Sequence, residues 1–260
     1  MEDLLEGKVI LVTGSTTGIG EAIARRSVEE GARVMVHGRS EERAKAVSDE
    51  LGEAARYVTA ELQDPEAPEV IVNAAIDAFG RIDGLVNNAA TTERSNIETS
   101  DAEAFDRITH INVRAPLLLI RAAMPYFREQ GGGEVLNVGS VNALGGEPNL
   151  LVYSMSKGAL QTMTRNLAAA HNTEGIRFNQ LNVGWTLTEN EDRVQREMGM
   201  PENWVEELPP EFAPSGRIFT PREIAAHAVF WLSEETGPVS AAIYEVEQYP
   251  MIGSNPDKQD

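Results

Sequence analysis

Tyr153 and Lys157 form the pair of residues in this chain best suited to acid–base chemistry. They are four residues apart in a segment of helical character, so their side chains lie on one face about one turn apart. An isolated tyrosine has a pKa of about 10 and is a poor base at neutral pH. A neighbouring ammonium group favours the phenolate and lowers that pKa. Any amphipathic helix can show such a pair, so the chemistry needs support from other residues.

Ser140 supplies that support. It directly follows the run Val-Leu-Asn-Val-Gly at 135–139, which is typical of a strand. Open α/β sheets place their chemistry at the carboxyl ends of strands. A hydroxyl there can donate a hydrogen bond to a substrate carbonyl oxygen and stabilise the negative charge that develops on that oxygen during a reaction.

Ser140 is also compatible with the role of an esterase-type nucleophile, but that interpretation lacks two requirements. A Ser-His-Asp site needs a histidine base, and His171 fits a helix end while His110 and His227 lie in helical segments. The sequence around the serine is Val-Gly-Ser-Val-Asn, not the Gly-x-Ser-x-Gly of a nucleophile elbow. No pair of histidines or carboxylates has metal-site spacing, so we predict no metal.

Glycines near the start of the chain indicate a dinucleotide site. The apolar run 9–12 predicts a buried strand, Gly14, Gly18 and Gly20 follow it, and residues 21–30 predict a helix. Glycines at such a junction let backbone N–H groups approach a pyrophosphate at the positive end of the helix. Their spacing differs from the Gly-x-Gly-x2-Gly of the usual Rossmann fingerprint. A βα turn that only needs positive φ is the plainer alternative.

Short apolar runs alternate with helical segments along the whole chain, which predicts a parallel sheet covered by helices on both faces. We expect seven strands, at residues 8–13, 33–37, 55–60, 84–87, 134–138, 176–182 and 243–246.

Helix starts are predicted from capping patterns. Ser100 with Glu103 forms a capping box, and Thr220-Pro221 with Glu223 forms another. Asp64-Pro65 predicts a third start, although Pro68 follows closely. We interpret residues 1–260 as one domain, with an irregular loop or lid at about 186–219 and a polar tail at 253–260.

The composition restricts the partners. The chain has 22 basic and 41 acidic residues, a net charge of −19, which disfavours nucleic acids and anionic membranes. It has no cysteine, so disulfides and thiol nucleophiles are excluded. No run is long enough for a membrane span, and the N-terminus lacks the pattern of a signal peptide. We expect a cytoplasmic protein that acts on a small molecule.

Taken together, these motifs resemble the short-chain dehydrogenase/reductase family in its single-domain form. The resemblance extends from Gly7 to about Gly253. Beyond the glycine turn it consists of Asn87-Asn88-Ala89-Ala90, Asn112, Ser140, Tyr153-x3-Lys157 and Asn182-Val183-Gly184. Ala90 replaces a glycine of the family pattern and Val183 a proline, and neither change removes a catalytic group.

The resemblance implies a Rossmann-type doubly wound domain and NAD(P)-dependent hydride transfer to or from a carbonyl or alcohol carbon. It implies Ser140, Tyr153 and Lys157 as catalytic residues. Asn112 would be a fourth, holding a helix bulge and a water for proton relay. Lys157 can also bind the nicotinamide ribose.

The resemblance also predicts the cofactor residues. The expected cofactor-binding residues are Gly14, Ser15, Thr17, Gly18, Ile19, Gly20, Arg39, Ser40, Glu61, Leu62, Asn88, Ala89, Tyr153, Lys157, Gly184, Thr186 and Thr188. Gly38 stands where NAD users of the family have aspartate, and Arg39 can pair with a 2′-phosphate, with help from Ser15. This favours NADP over NAD, unless Arg39 stacks on adenine and tolerates both.

Specificity should come from residues 186–219 and from the loop after Ser140. The residues that we expect to line the pocket are Asn142, Asn149, Trp185, Asn190 and Glu191. They suit a small polar substrate such as a sugar or polyol. The alternatives are a non-catalytic NADP sensor, or a reductase of an apolar ketone or a 3-oxoacyl substrate. Relatives form tetramers through the C-terminal region, so we expect a homotetramer or a dimer.

Overall fold

Seven parallel strands form the centre of the molecule. The computed structural model describes residues 3–249, and the statements below refer to them. The strands are β1 (Val9–Val12), β2 (Arg33–Gly38), β3 (Ala55–Thr59), β4 (Gly84–Asn87), β5 (Gly133–Ser140), β6 (Ile176–Val183) and β7 (Ile243–Val246). Their order in the sheet is β3-β2-β1-β4-β5-β6-β7. The predicted doubly wound Rossmann-type fold is confirmed.

Eight α-helices cover the sheet. They are α1 (Gly18–Glu29), α2 (Glu41–Leu51), α3 (Ala67–Phe79), α4 (Ala102–Thr109), α5 (Ala115–Gln130), α6 (Leu151–Ala170), α7 (Glu189–Glu197) and α8 (Pro221–Leu232). A π-helical segment, His110–Arg114, joins α4 to α5.

The core lies on both faces of the sheet, because successive strand residues point to opposite sides. Ile10 and Val12 pack with residues of α1 and α8 on one face. Leu11, between them, packs with residues of α3 and α5 on the other. All four residues of β1 are buried, and each such side chain contributes about 1.5–3 kcal/mol by leaving water. Burial on both faces explains why β1 has a continuous apolar run.

Helix α6 brings the polar residues of interest to the sheet. Its buried side includes Tyr153, Lys157, Leu160, Thr164 and Ala168, which follow each other at intervals of three or four and therefore form one stripe. The tyrosine and the lysine belong to the stripe that packs against the sheet, and they do not form an exposed amphipathic face.

Two of the three predicted helix starts are wrong in detail. The N-cap of α4 is Asp101, whose carboxylate accepts the Ala104 N–H at 2.8 Å, while the Ser100 hydroxyl donates to the carbonyl of Asn96. Helix α3 begins at Ala67, because Asp64 caps only a turn by accepting the Glu66 N–H. The capping box of Thr220 and Glu223 at α8 is confirmed.

The segment 186–219 has more structure than the irregular loop that we predicted. It contains α7 and a 3₁₀ turn, Trp204–Glu207. Trp204, Ala213 and Ile218 form a small core of their own, and Trp204 stacks on Trp185 with ring centroids 5.4 Å apart. The apolar residues come from separate short pieces of chain, so they show no helical period. The predicted tail at 253–260 lies outside the described residues.

Within residues 3–249, no helix has the length and apolar character that crossing a membrane requires.

Candidate functional site

A cavity of about 270 Å³ opens at the carboxyl edge of β5 and β6, and Ser140, Tyr153 and Lys157 all line it. Ser140 ends β5, while Tyr153 and Lys157 lie near the start of α6. The Ser140 and Tyr153 side chains share a hydrogen bond, and the Lys157 Nζ lies 5.7 Å from the centre of the Tyr153 ring. The structure therefore brings together the three residues that the sequence singled out.

Burial dominates the electrostatics of this trio. It raises the pKa of Tyr153 to about 12, and the carboxylates of Glu147 and Glu191 add to the increase, while the hydrogen bond with Ser140 opposes it. Burial also lowers the pKa of Lys157 to about 8. Lys157 donates a hydrogen bond to the carbonyl of Val138 at 2.8 Å.

Asn112 lies in the π-helical segment, which is where the resemblance predicts a helix bulge. Its amide accepts the Thr91 N–H at 2.9 Å and donates to the Thr91 carbonyl and to the Ser156 hydroxyl, both at 3.0 Å. It does not line the cavity. Through Ser156 it contacts α6 beside Lys157, so its place in the structure is next to the helix that contains Tyr153 and Lys157.

A chain of buried side-chain hydrogen bonds lies behind the cavity. Asn87 on β4 donates to Asn137 on β5, and Asn137 donates to Thr164 on α6. Thr164 then bonds Gln180 on β6. These bonds satisfy the side chains of Asn137 and Thr164, as buried polar groups require. The chain fixes α6 relative to three central strands.

The glycine turn is braced by Asn88. The Asn88 side chain donates to the carbonyls of Thr13 and Gly14, at 2.9 and 3.1 Å. A Cβ on Gly14 would lie 2.9 Å from the Ala89 backbone, and a Cβ on Gly20 would collide with the Asn88 amide. Gly14 also has a φ of +63°. The tight turn thus needs glycine at both positions.

The start of α1 fits the phosphates of a dinucleotide. Thr17, its N-cap, forms no side-chain capping bond, so the first N–H groups remain available to an anion at the positive end of the helix. Ile19 lines the cavity, as do Asn88, Gly184, Thr186 and Thr188 on the facing segments. The residues present therefore fit a nicotinamide dinucleotide that runs from the glycine turn to Tyr153.

The expected adenosine end lies outside the cavity, beside β2 and β3. Arg39 is 76% exposed and pairs with Glu61 at 3.7 Å. The Ser15 hydroxyl is fully buried, where it donates to the Val12 carbonyl and accepts the His37 N–H. Of the two groups that we expected to meet a 2′-phosphate, only Arg39 faces solvent. Leu62 is buried in the core, and Ser40 caps α2.

Four of the five predicted substrate residues line the cavity: Asn142, Trp185, Asn190 and Glu191. The fifth does not. Asn149 is exposed and lines a separate surface groove, because its backbone carbonyl pairs with Ser95 and turns this part of the loop away.

Sequence reasoning missed several other cavity residues. They are Arg94, Glu147, Val194, Gln195, Phe212, Glu247 and Tyr249. Glu247 accepts the N–H groups of Trp185 and Gln248, and burial raises its pKa. These residues come from four distant parts of the chain, and no local motif marks them. The run at 245–253 lacks the Val-Asp-Gly-Gly ending that is usual in the resembled family, and this departure was the one available signal for Glu247 and Tyr249.

Comparison with known proteins agrees with this geometry. The family model described as short chain dehydrogenase matches residues 8–199. The chain belongs to the short-chain dehydrogenase/reductase family. It is an NAD(P)-dependent oxidoreductase of the kind that acts on CH–OH groups.

Individual relatives differ in substrate. The chain is 32% identical to a 7alpha-hydroxysteroid dehydrogenase from Clostridium sardiniense, over 93% of this chain and 92% of that one. The structure of L-sorbose reductase from Gluconobacter frateurii, complexed with NADPH and L-sorbose, superposes with a TM-score of 0.90 at 28% identity, covering 98% of each chain. A 3-ketoacyl-(acyl-carrier-protein) reductase from Brucella melitensis, complexed with NADH, gives 0.83 at 32% identity, covering 94% of this chain and 98% of that one.

Burial of His37 makes the free energy of unfolding of this protein depend on pH. Burial lowers its pKa from 6.5 to about 4, so between these values the unfolded chain binds more protons than the folded one. Its contribution to stability is therefore complete above about pH 6.5 and decreases as the pH falls toward 4. Relative to His37→Gln, we expect the wild type to lose about 2 kcal/mol of unfolding free energy between pH 7.5 and 5. Urea titrations of both proteins measure this difference, and parallel pH profiles would contradict it.

Proposed function

We propose that this protein transfers a hydride between NADP and the carbonyl or alcohol carbon of a small polyhydroxylated substrate, with Tyr153 as the acid–base residue. The observation that supports this most is the convergence of Ser140, Tyr153 and Lys157 on one cavity whose lining also includes the carboxylates of Glu147, Glu191 and Glu247.

Each residue has a defined task in the proposed reaction. During reduction, Tyr153 gives its phenolic proton to the carbonyl oxygen, and during oxidation it takes the proton back. The Ser140 hydroxyl donates to the same oxygen and stabilises its charge. When bound, the nicotinamide supplies or accepts the hydride, and its oxidised ring adds positive charge near the phenol. A positive charge near the phenol would lower the pKa of Tyr153 and so offset the increase that burial causes.

Lys157 and Asn112 keep this arrangement in place. The 2.8 Å bond to Val138 holds the ammonium beside the tyrosine ring, where it can also reach a ribose hydroxyl. Asn112 bonds Ser156 and so fixes the turn of α6 that contains Lys157. We propose Asn112 as the fourth member of the catalytic set. It would hold the helix bulge and a water that relays the proton.

The cavity favours a hydroxylated substrate. Asn142 and Asn190 offer amide groups, and Glu147, Glu191 and Glu247 offer carboxylate oxygens that accept hydroxyl donors. Two of these carboxylates, Glu147 and Glu191, act on the pKa of Tyr153, so an anionic substrate would be repelled near the reacting centre. Similarity to an enzyme complexed with L-sorbose agrees with this preference. We propose that residues 186–219 act as the lid of this cavity and that residues 1–260 form one domain.

Replacement of Tyr153 tests the reaction. We expect Tyr153→Phe to reduce kcat by about 10²–10⁴-fold, because the phenolic proton is lost while the ring still fills its place. The assay follows reduced nicotinamide with sorbitol, xylitol, butane-2,3-diol and L-sorbose. Met155→Leu is the matched control, since Met155 lies on the exposed side of the same helix. Full turnover by Tyr153→Phe would contradict the mechanism, and binding of NADPH without turnover of any carbonyl or alcohol would favour a sensor.

Arg39 determines the proposed cofactor preference. It is an exposed cation beyond β2, and removing its bond to a 2′-phosphate should weaken NADPH binding about tenfold or more. We expect Arg39→Leu to leave the Kd for NADH within threefold. Lys45→Leu is the control, because it removes one exposed cation from α2. Fluorescence titration measures both constants, and equal losses for NADPH and NADH would mean that Arg39 only stacks on the adenine.

We also propose a homotetramer that works in the cytoplasm, where dinucleotide is available. Phe230 on α8 and Tyr244 on β7 are large apolar residues that remain 45% and 42% exposed, which supports assembly through this end of the sheet. We expect a tetramer by light scattering at micromolar concentration, and smaller species for Phe230→Glu. Val70→Glu, on α3, should leave the assembly unchanged. A monomeric wild type would contradict the proposal.

A further inference from the structure

A buried histidine that the catalytic mechanism does not use lies beneath the glycine turn. His37, on β2, is 2% exposed. Its Nδ1 accepts the backbone N–H of Gly14 at 3.2 Å, and its Nε2 lies 3.2 Å from the carbonyl oxygen of Ala60. Both nitrogens of the ring thus meet backbone groups on two different segments.

These contacts require one form of the imidazole. A backbone N–H can only donate, so the Nδ1 that faces Gly14 has no proton. A carbonyl oxygen can only accept, so the Nε2 that faces Ala60 has one. Only the neutral tautomer protonated on Nε2 satisfies both bonds, and the burial that disfavours the cationic form agrees with it.

The segments that His37 joins are those expected to bind the dinucleotide. Gly14 opens the glycine turn, Ala60 directly precedes Glu61 after β3, and His37 directly precedes Gly38 and Arg39 at the end of β2. Each of the three segments contains residues expected to contact either the pyrophosphate or the adenosine.

The spacing between these segments leaves little freedom. Ser15 and His37 exchange two further bonds, since the Ser15 N–H donates to the His37 carbonyl at 2.8 Å and the His37 N–H donates to the Ser15 hydroxyl at 2.9 Å. A Cβ on Gly38 would collide with the side chain of Thr16. A side chain at position 37 that differs from histidine in length or in its hydrogen bonds must therefore displace the glycine turn.

We propose that His37 is a cofactor-positioning residue whose neutral imidazole sets the distance between the glycine turn and the ends of β2 and β3. The proposal rests on the dinucleotide-dependent function given above. An apolar side chain of similar size would fill the space but leave the Gly14 N–H without an acceptor. The glycine turn would then shift so that the Gly14 N–H finds another acceptor. The N–H groups that follow the turn would no longer point at the phosphates.

The test compares two substitutions in the full-length protein. In His37→Gln the amide oxygen can accept from Gly14 and the amide nitrogen can donate to Ala60, whereas His37→Leu offers neither group. The probes are NADPH and NADH, titrated by fluorescence. We expect His37→Leu to raise both Kd values at least tenfold and His37→Gln to stay within threefold of the wild type. At saturating cofactor, kcat of both variants should remain within twofold, because His37 itself does not line the cavity that contains Ser140, Tyr153 and Lys157.

Three outcomes would overturn the proposal. One is a His37→Leu variant that binds both cofactors as the wild type does, and another is equal weakening by Gln and Leu. The third uses no variant, so it stands even if His37→Leu fails to fold. Nitrogen-15 NMR of the four histidines should show His37 with an unprotonated Nδ1, and a proton on that atom at neutral pH would refute the assignment. A wild type that binds neither dinucleotide would instead overturn the proposed function, and this inference with it.

Discussion

The bond from Lys157 to the carbonyl of Val138 is the contact on which the site depends. It is 2.8 Å long, and it joins the catalytic helix to the strand that ends in Ser140. Burying an ammonium group is costly unless it is hydrogen-bonded. This bond meets that requirement and simultaneously fixes the position of α6 along β5. In this arrangement the hydroxyls of Tyr153 and Ser140 share a hydrogen bond.

A second set of constraints acts at the phosphate end. Asn88 braces the glycine turn from β4, and His37 braces it from β2. The turn therefore receives its shape from His37 on β2 and from Asn88, which directly follows β4, and the glycines permit that shape. Preorganisation of this kind reduces the ordering that cofactor binding must otherwise impose.

The strands, and the meeting of Tyr153 with Lys157, were predictable from the sequence because their signals are local. Strands β1 and β4 are buried along their whole length and have apolar runs of their own, whereas the edge strands β3 and β7 are only partly buried. The predicted bounds of β4 and β7 match the structure, and those of the other strands agree within two residues. Tyr153 and Lys157 are one helical turn apart, so helix geometry alone places them together. Choices between neighbouring capping residues were less predictable: Asp101 and Ser100 both fit an N-cap, and the fold of the preceding turn selected Asp101.

By itself, the sequence determined the doubly wound sheet, the glycine turn and the pairing of Tyr153 with Lys157. Tertiary structure alone decided that Glu247 and Tyr249 reach the cavity while Asn149 does not. It also decided the degree of burial, which raises the pKa of Tyr153 to about 12. The physical reason is range: periodicity and capping act over one or two turns of chain, whereas desolvation and cavity lining depend on segments that meet only after the whole sheet has assembled.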